Sequence, residues 1–263
     1  MMTPAFTNVI VTYNNRSDIA GLLTDVSAHA PDSPTIVVDN ASPDGTADEV
    51  AARFPRVRLV RNSRNVGYAR AVNQLFRLST SPYVFLLNPD IRIPGPDVST
   101  ALQECLDNDD RVAVAGPLQF KDGAGRPHLN FTWSYWTMEA LKVFIAHRRG
   151  KKPSVSGPLR VSFLNAGCLF IRRTAFEAVG SLNEKYFLYG EEPDLFFKLM
   201  RHGFECRLLP GVSVYHAREQ SLQSIPSLRR LRFRIQGAVN IADAVSRGVT
   251  NIVVDRLAGR KPG

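Results

Sequence analysis

Two apolar runs in the first hundred residues end in carboxylates: Val37-Val38-Asp39-Asn40-Ala41-Ser42 and Phe85-Leu86-Leu87-Asn88-Pro89-Asp90. In a parallel sheet the carboxyl ends of the strands open onto the ligand crevice, so both carboxylates are aimed at it. Asp39 is suited to accept the imide N–H of a pyrimidine base, and Asp90 to hold a divalent cation, Mg²⁺ or Mn²⁺, against a diphosphate. The first run ends in polar residues too, Thr12-Tyr13-Asn14-Asn15. In the second half, Gly190-Glu191-Glu192-Pro193-Asp194 sets two adjacent carboxylates at a helix start, with Pro193 suited to the first helical position. The helix dipole keeps a carboxylate there ionised, which suits a general base acting on a hydroxyl. His216 follows the short run Val212 to Tyr215, and a histidine at a strand end can ligate a metal. Gly67, near another helix start in Asn65-Val66-Gly67-Tyr68-Ala69-Arg70, would let a phosphate or sugar approach backbone N–H groups, with Arg64 or Arg70 supplying positive charge.

Each of these residues also has a plain structural reading. Asn-Pro-Asp is a good turn, Asn65 alone can cap a helix, acidic residues cap helix starts, and single histidines are usually structural. Their joint placement at successive strand and helix ends favours chemistry.

The elements that must position them follow a regular alternation. Strands are expected at Asn8 to Tyr13, Thr35 to Asp39, Val57 to Arg61, Tyr83 to Asn88 and Val112 to Ala115. Helices should fill Ser17 to Ala28, Asp44 to Phe54, Gly67 to Leu78 and Asp97 to Asn108. Four strand–helix units in a row predict an α/β fold with an open, doubly wound, mostly parallel sheet. Lys121 to Arg160 is less regular, with a Gly-rich turn at 122–125, Trp133 and Trp136, and a basic Pro/Gly stretch, His147 to Pro153, that reads as a mobile loop. Beyond it a strand is expected from Val161 through Phe170, then helices from Thr174 and from Pro193 to His202, and short strands at Glu205 to Leu209 and Val212 to Tyr215.

Composition narrows the function classes. The 263 residues, 44% hydrophobic, can bury a core without staples. Cys105, Cys168 and Cys206 show neither C-x-x-C pairing nor metal spacing and read as reduced thiols. No run of about 18 apolar residues and no signal-peptide pattern is present, so a cytoplasmic protein is expected. Of the formal charge of +9, most lies in residues 221–263, where eight Arg or Lys face two Asp. There Leu228 to Ile235 interleaves basic and apolar residues, as either a solvated helix face or a contact with an anionic membrane at the inner face of the cell membrane would. No nucleic-acid-binding module is recognisable, and nucleic acid is not an expected partner.

As an ordered set, Val9-Ile10-Val11-Thr12-Tyr13-Asn14, Val37 to Thr46, Asn65 to Asn73, Leu87-Asn88-Pro89-Asp90, Phe163 to Arg173, Glu191-Glu192 and Tyr215-His216 resemble the signature blocks of glycosyltransferase family two, in its bacterial rhamnosyltransferase-like flavour. The resemblance spans about Thr7 to Ala217. It implies a type-A glycosyltransferase fold with a nucleotide-sugar-binding half (1–120), a smaller acceptor-binding and catalytic half (121–220) and a basic helical tail (221–263). Carried over block by block, Asp39 binds the nucleobase, Asp90 the metal and diphosphate, and His216 completes the metal site. Thr12, Tyr13, Asn14, Asn65, Gly67, Arg70 and Asn88 line the nucleotide, Asn165, Ala166 and Gly167 meet the acceptor, and Glu192 is the base beside Glu191. The implied reaction is inverting, metal-dependent transfer of one sugar from a nucleoside diphosphate sugar, dTDP-rhamnose leading and UDP-sugars second, to a glycan or lipid-linked acceptor in surface polysaccharide synthesis.

The chain departs from the family pattern in three places. Asn88-Pro89-Asp90 replaces Asp-x-Asp, Glu191-Glu192 replaces Glu-Asp and leaves the choice of base open, and Gln-x-x-Arg-Trp of processive relatives is absent. Two rivals are a sugar nucleotidyltransferase, which needs a Gly-rich basic loop where Thr12-Tyr13-Asn14-Asn15-Arg16 stands, and a non-catalytic nucleotide-sugar- or nucleic-acid-binding module.

Overall fold

The computed structural model describes residues 5–121, 127–128, 131–132, 141–143, 145–146, 149, 151, 157–216 and 235–249. Trp133, Trp136, the 122–125 turn, most of the 147–153 stretch and Leu228 to Arg234 lie outside them.

Strands β1 (Phe6–Thr12), β2 (Thr35–Asp39), β3 (Arg58–Arg61) and β4 (Tyr83–Leu87) pair in parallel in the order β3-β2-β1-β4. The chain winds outward from β1 to β3, then returns to place β4 on the other side of β1. That reversal makes the carboxyl ends of β1 and β4 a topological switch point, where open α/β sheets bind ligands. Successive side chains of a strand face opposite ways, which splits the core in two. Val9, Val11, Ile36, Val38, Val84 and Leu86 pack on one face and Ile10, Val37, Phe85 and Leu87 on the other. Helices α1 (Arg16–His29), α2 (Thr46–Arg53) and α4 (Asp97–Asp107) cover the second face, while α3 (Tyr68–Leu78) covers the first.

The remaining strands extend this frame. They are β5 (Ile91–Arg92), β6 (Val112–Phe120), the two-residue strands β7 (Pro127–His128) and β8 (Phe131–Thr132), β9 (Leu159–Val161), β10 (Phe163–Leu164), β11 (Cys168–Arg172) and β12 (Glu205–His216). The full sheet has ten strands, with β11 inserted antiparallel between β4 and β6, and β12 parallel to β6. Helices α5 (Arg173–Ala178) and α6 (Glu191–Arg201) join the first face, and residues 235–249 form α7.

Several expected boundaries move for identifiable reasons. The strand expected from Val161 through Phe170 breaks into β9, β10 and β11, because Asn165 Oδ1 accepts the Gly167 N–H at 3.0 Å and turns the chain. The strands expected at Glu205 to Leu209 and Val212 to Tyr215 are one, with a register shift between Leu209 and Ser213 that absorbs Pro210 and Gly211. Strand β6 runs to Phe120 rather than Ala115. Helix α6 starts at Glu191, so Pro193 is its third residue and not its first. It is tolerated there because first-turn N–H groups have no intrahelical partner.

One buried side chain ties the two halves together. Asn73 Nδ2–H donates to Leu182 O at 2.9 Å and to Glu184 Oε1 at 3.0 Å, and Asn73 Oδ1 accepts the Leu182 N–H at 3.0 Å. Asn73→Ala would leave both Leu182 backbone groups unpaired away from water. It should cost about 1–3 kcal/mol, seen as a lower urea midpoint at unchanged m-value; an unchanged midpoint would mean that the clamp holds nothing.

Candidate active site

At the end of β2, Asp39 is buried and held from three sides. The Thr12 hydroxyl donates to Oδ1 at 2.8 Å, the Ser42 hydroxyl to the same oxygen at 2.5 Å, and the Ser42 N–H to Oδ2 at 2.9 Å. A carboxylate has about four acceptor sites, so one direction on Oδ2 is left for a ligand donor. Asn14 N–H donates to Ser42 Oγ at 3.0 Å, fastening the end of β1 to that of β2, and Tyr13 N–H donates to Asn15 Oδ1 at 2.9 Å within the turn that follows β1. Asn14 and Ala41 both take left-handed backbone, at φ 59° and 62°. Such conformations are costly for residues other than glycine and are held here by the surrounding hydrogen bonds.

The second cluster depends on strand register. Strand β5 begins one residue after Asp90, and Ile91 pairs with His216. That pairing brings Asp90 Oδ1 to 3.2 Å from His216 Nε2, while His216 Nδ1–H donates to Gln119 Oε1 at 2.7 Å. With Nδ1 held by Gln119, Nε2 is the ring nitrogen that faces Asp90, and a cation between the two would meet a histidine oriented from behind. One carboxylate oxygen and one imidazole nitrogen fit a divalent cation such as Mn²⁺ or Mg²⁺. Among the described residues no group of three His, Cys, Asp or Glu could hold a metal. The pair therefore suits a cation shared with phosphate oxygens better than one caged by protein. Asp18, in the first turn of α1, lies within reach of the same charge: burial first and Asp90 second raise its pKa.

The third cluster is joined to the second by three residues. Gly167 O accepts the Asn88 N–H at 2.9 Å, and the Ala166 N–H donates to Glu192 Oε1 at 3.2 Å. Helix α6 is entered through left-handed backbone at Tyr189 (φ 63°) and Gly190 (φ 97°). Of the two carboxyls that follow, Glu191 is turned inward and 2% exposed, and its Oε2 has no hydrogen-bond partner among the described residues. Burial, and then the charge of Glu192, push its pKa up to about 8. Burial followed by Glu192 and Glu191 likewise holds the Tyr68 phenol well above its ordinary value. Glu192 instead faces the Asn165–Gly167 turn and shares a small apolar cavity with Tyr68, Ala166, Leu195 and Phe196.

Three expected nucleotide ligands have structural partners of their own. A Cβ on Gly67 would lie 2.7 Å from Phe187 O, so its missing side chain admits the 187 backbone, whose carbonyl accepts the Tyr68 N–H at 2.8 Å. Asn65 Oδ1 accepts the Gly67 N–H at 2.9 Å. Arg70 is paired with Glu184 at 3.4 Å on an exposed surface. Four residues not singled out from sequence matter here: Ser42, Gln119, Asp18 and Phe187. Gln119 lies between Leu118 and Phe120 inside β6, beyond the strand end expected at Ala115.

A model of glycosyl transferase family 2 matches residues 7–180. An N-acetylglucosaminyl-diphospho-decaprenol L-rhamnosyltransferase of Mycobacterium tuberculosis is 29% identical over 252 residues, covering 86% of this chain and 80% of the relative. A low-salt glycan biosynthesis hexosyltransferase of Haloferax volcanii is 22% identical over 78% of this chain and 65% of its own. Among solved structures, the GalNAc-T7 complex with UDP, GalNAc and Mn²⁺ aligns with TM-score 0.64 and 17% identity, over 81% of this chain and 43% of that one. A mannosyltransferase of Pyrobaculum calidifontis with GDP-Man and Mn²⁺ aligns with TM-score 0.61 and 16% identity, over 99% and 77%. With the family model matching residues 7–180 and the mostly parallel sheet shared with these solved structures, the chain belongs to glycosyl transferase family 2 and is a glycosyltransferase of the type-A fold.

Proposed function

We propose that the chain moves one sugar, rhamnose leading, from a nucleoside diphosphate to a hydroxyl of a lipid-linked or saccharide acceptor, with inversion. The chemistry rests on one observation: the Asn165–Gly167 turn touches Glu192 on one side and, on the other, His216, which faces Asp90. The choice of sugar rests on the mycobacterial relative. Asp39 takes the nucleobase through its spare acceptor direction, Thr12, Tyr13, Asn14 and Asn88 border the nucleotide, and Asn165, Ala166 and Gly167 border the acceptor. Glu192 accepts the acceptor's proton as its oxygen bonds to the anomeric carbon, and the bond from that carbon to the diphosphate breaks with its electron pair leaving on phosphate. Asp90 and His216 would hold a divalent cation, which when bound offsets the charge on the leaving diphosphate. Burial and the neighbouring charge raise the pKa of Glu191, which disfavours two charges side by side at the helix start. A lipid-linked acceptor would hold the enzyme at the inner face of the cell membrane, and the basic surplus of residues 221–263 suits it to that place.

Thermal shift identifies the donor. dTDP-rhamnose with Mn²⁺ at about a hundred times its dissociation constant should add about 2.7 kcal/mol of stability, and UDP-hexoses at the same concentration should add less. Asp90→Ala should abolish the metal-dependent part of that shift and the transfer activity; a variant with the full shift would place the cation elsewhere.

The two adjacent glutamates separate kinetically. Glu192→Gln should keep donor binding and lower the rate of transfer by about 10² to 10⁴, with a much smaller loss for Glu191→Gln. The reverse order at saturating substrates would assign the base to Glu191.

Burial of Glu191 also sets a pH dependence of stability. Between its ordinary pKa of 4.5 and its folded value of about 8 the native state holds a proton that the unfolded chain has released. Stability from this group should therefore be fully present below pH 4.5 and decline as pH rises toward 8. Glu191→Gln should flatten that slope and raise the melting temperature at pH 8; an unchanged slope would mean that Glu191 titrates normally.

A further inference from the structure

Helix α7 is two-sided. Its docked side packs on the approach to the base: a Cβ at Gly237 would overlap Tyr189 and one at Gly248 would overlap Phe197, Ala244 is buried, and Asn240 Nδ2–H donates to Leu188 O at 3.0 Å. Asp243 adds a flank to this side, accepting from Lys185 Nζ at 2.5 Å and from the Tyr186 hydroxyl at 2.7 Å. On the other side Ile235, Val239, Ile241, Val245 and Val249 are between 38% and 57% exposed. At 100° per residue these five fall within one arc of about 160°. Ala238 and Ala242 lie in the same arc, and Ser246 is its one polar member, so the arc is predominantly apolar. Such a continuous exposed stripe on a surface helix marks an interaction face.

The charge of the flanking sequence selects the occupant. Arg229, Arg230, Arg232 and Arg234 precede the stripe, and Arg256, Arg260 and Lys261 follow it. The sequence on both sides of the stripe is basic, which a second copy of this chain does not complement. An anionic bilayer meets both features, with apolar side chains entering the headgroup boundary and flanking basic residues on the lipid charge. We infer that the exposed apolar face of α7 is a docking surface for an anionic lipid bilayer, with its opposite face holding the Tyr189–Gly190 entry to Glu192. Docking there sets the base beside the membrane, where a lipid-linked acceptor presents its hydroxyl. Only this last orientation rests on the proposed acceptor; the docking rests on the exposed face and its charge.

The test is flotation of the full chain with phosphatidylglycerol and with phosphatidylcholine vesicles, without donor or acceptor, so that its failure leaves the transfer reading standing. The protein should float with the anionic vesicles and not with the neutral ones. Val239→Glu with Val245→Glu, both at exposed positions, should cut the bound fraction at least ten-fold with the melting temperature unchanged. Val245→Trp should bind at least as well and show a blue-shifted emission on adding anionic vesicles. Equal binding by the double variant, or no blue shift, would overturn the docking face. A wild-type dimer that the double variant converts to monomer, with no flotation of either, would assign the stripe to self-association and also overturn it.

Discussion

A Cβ on Gly167 would stand 2.5 Å from His216 Cε1 and 2.7 Å from Nδ1, closer than atoms can pack. The imidazole therefore occupies the volume that any other residue at 167 would fill, and its contact with Asp90 exists because that volume is free. The same short turn accepts the Asn88 N–H through Gly167 and donates to Glu192 through Ala166. Displacing it by a few tenths of an ångström would move the imidazole, the strand end before Asp90 and the carboxylate of α6 together.

What fixes the turn is pairing rather than its own sequence. Strand β11 lies antiparallel to β4 with Cys168 opposite Leu87, which sets Gly167 beside Asn88. Strand β12 reaches the same place from the far side of β6, bringing His216 opposite Ile91. Because side chains alternate along a strand, a slip of one residue in either pairing would turn His216 or Gly167 to the wrong face. Both cores enforce the register, since Phe170 and Cys168 pack on one face of β11 while Leu169 and Ile171 pack on the other.

This division explains which features were legible in the sequence. Strands β1, β2 and β4 were readable because each is a short, largely buried apolar run ended by polar residues, and Thr35 to Asp39 falls where expected to the residue. Asp39, Asp90, Asn165, Glu192 and His216 were readable as polar residues at the ends of such runs. Gln119 was not, because it lies inside a strand whose pairing with β12 is long-range and carries no local signal. The contacts of Gly67 and Arg70 were also hidden: Phe187 and Glu184 are more than a hundred residues away. A glycine at a helix start reads the same whether a phosphate or a backbone carbonyl approaches it.

The choice between the two glutamates illustrates how a distant element enters the chemistry. In α6 successive residues point about 100° apart, so only one of Glu191 and Glu192 can face the turn, and the backbone entering the helix decides which. That entry takes left-handed conformations at Tyr189 and Gly190, and for a bulky residue such as Tyr189 this is unfavourable by itself. The support comes from α7: Gly237 makes room for the Tyr189 ring, the Asn240 backbone closes over Gly190, and the Asn240 amide holds Leu188. A helix without a reacting group thus fixes which of the two carboxylates faces the Asn165–Gly167 turn, by stabilising the backbone that this requires.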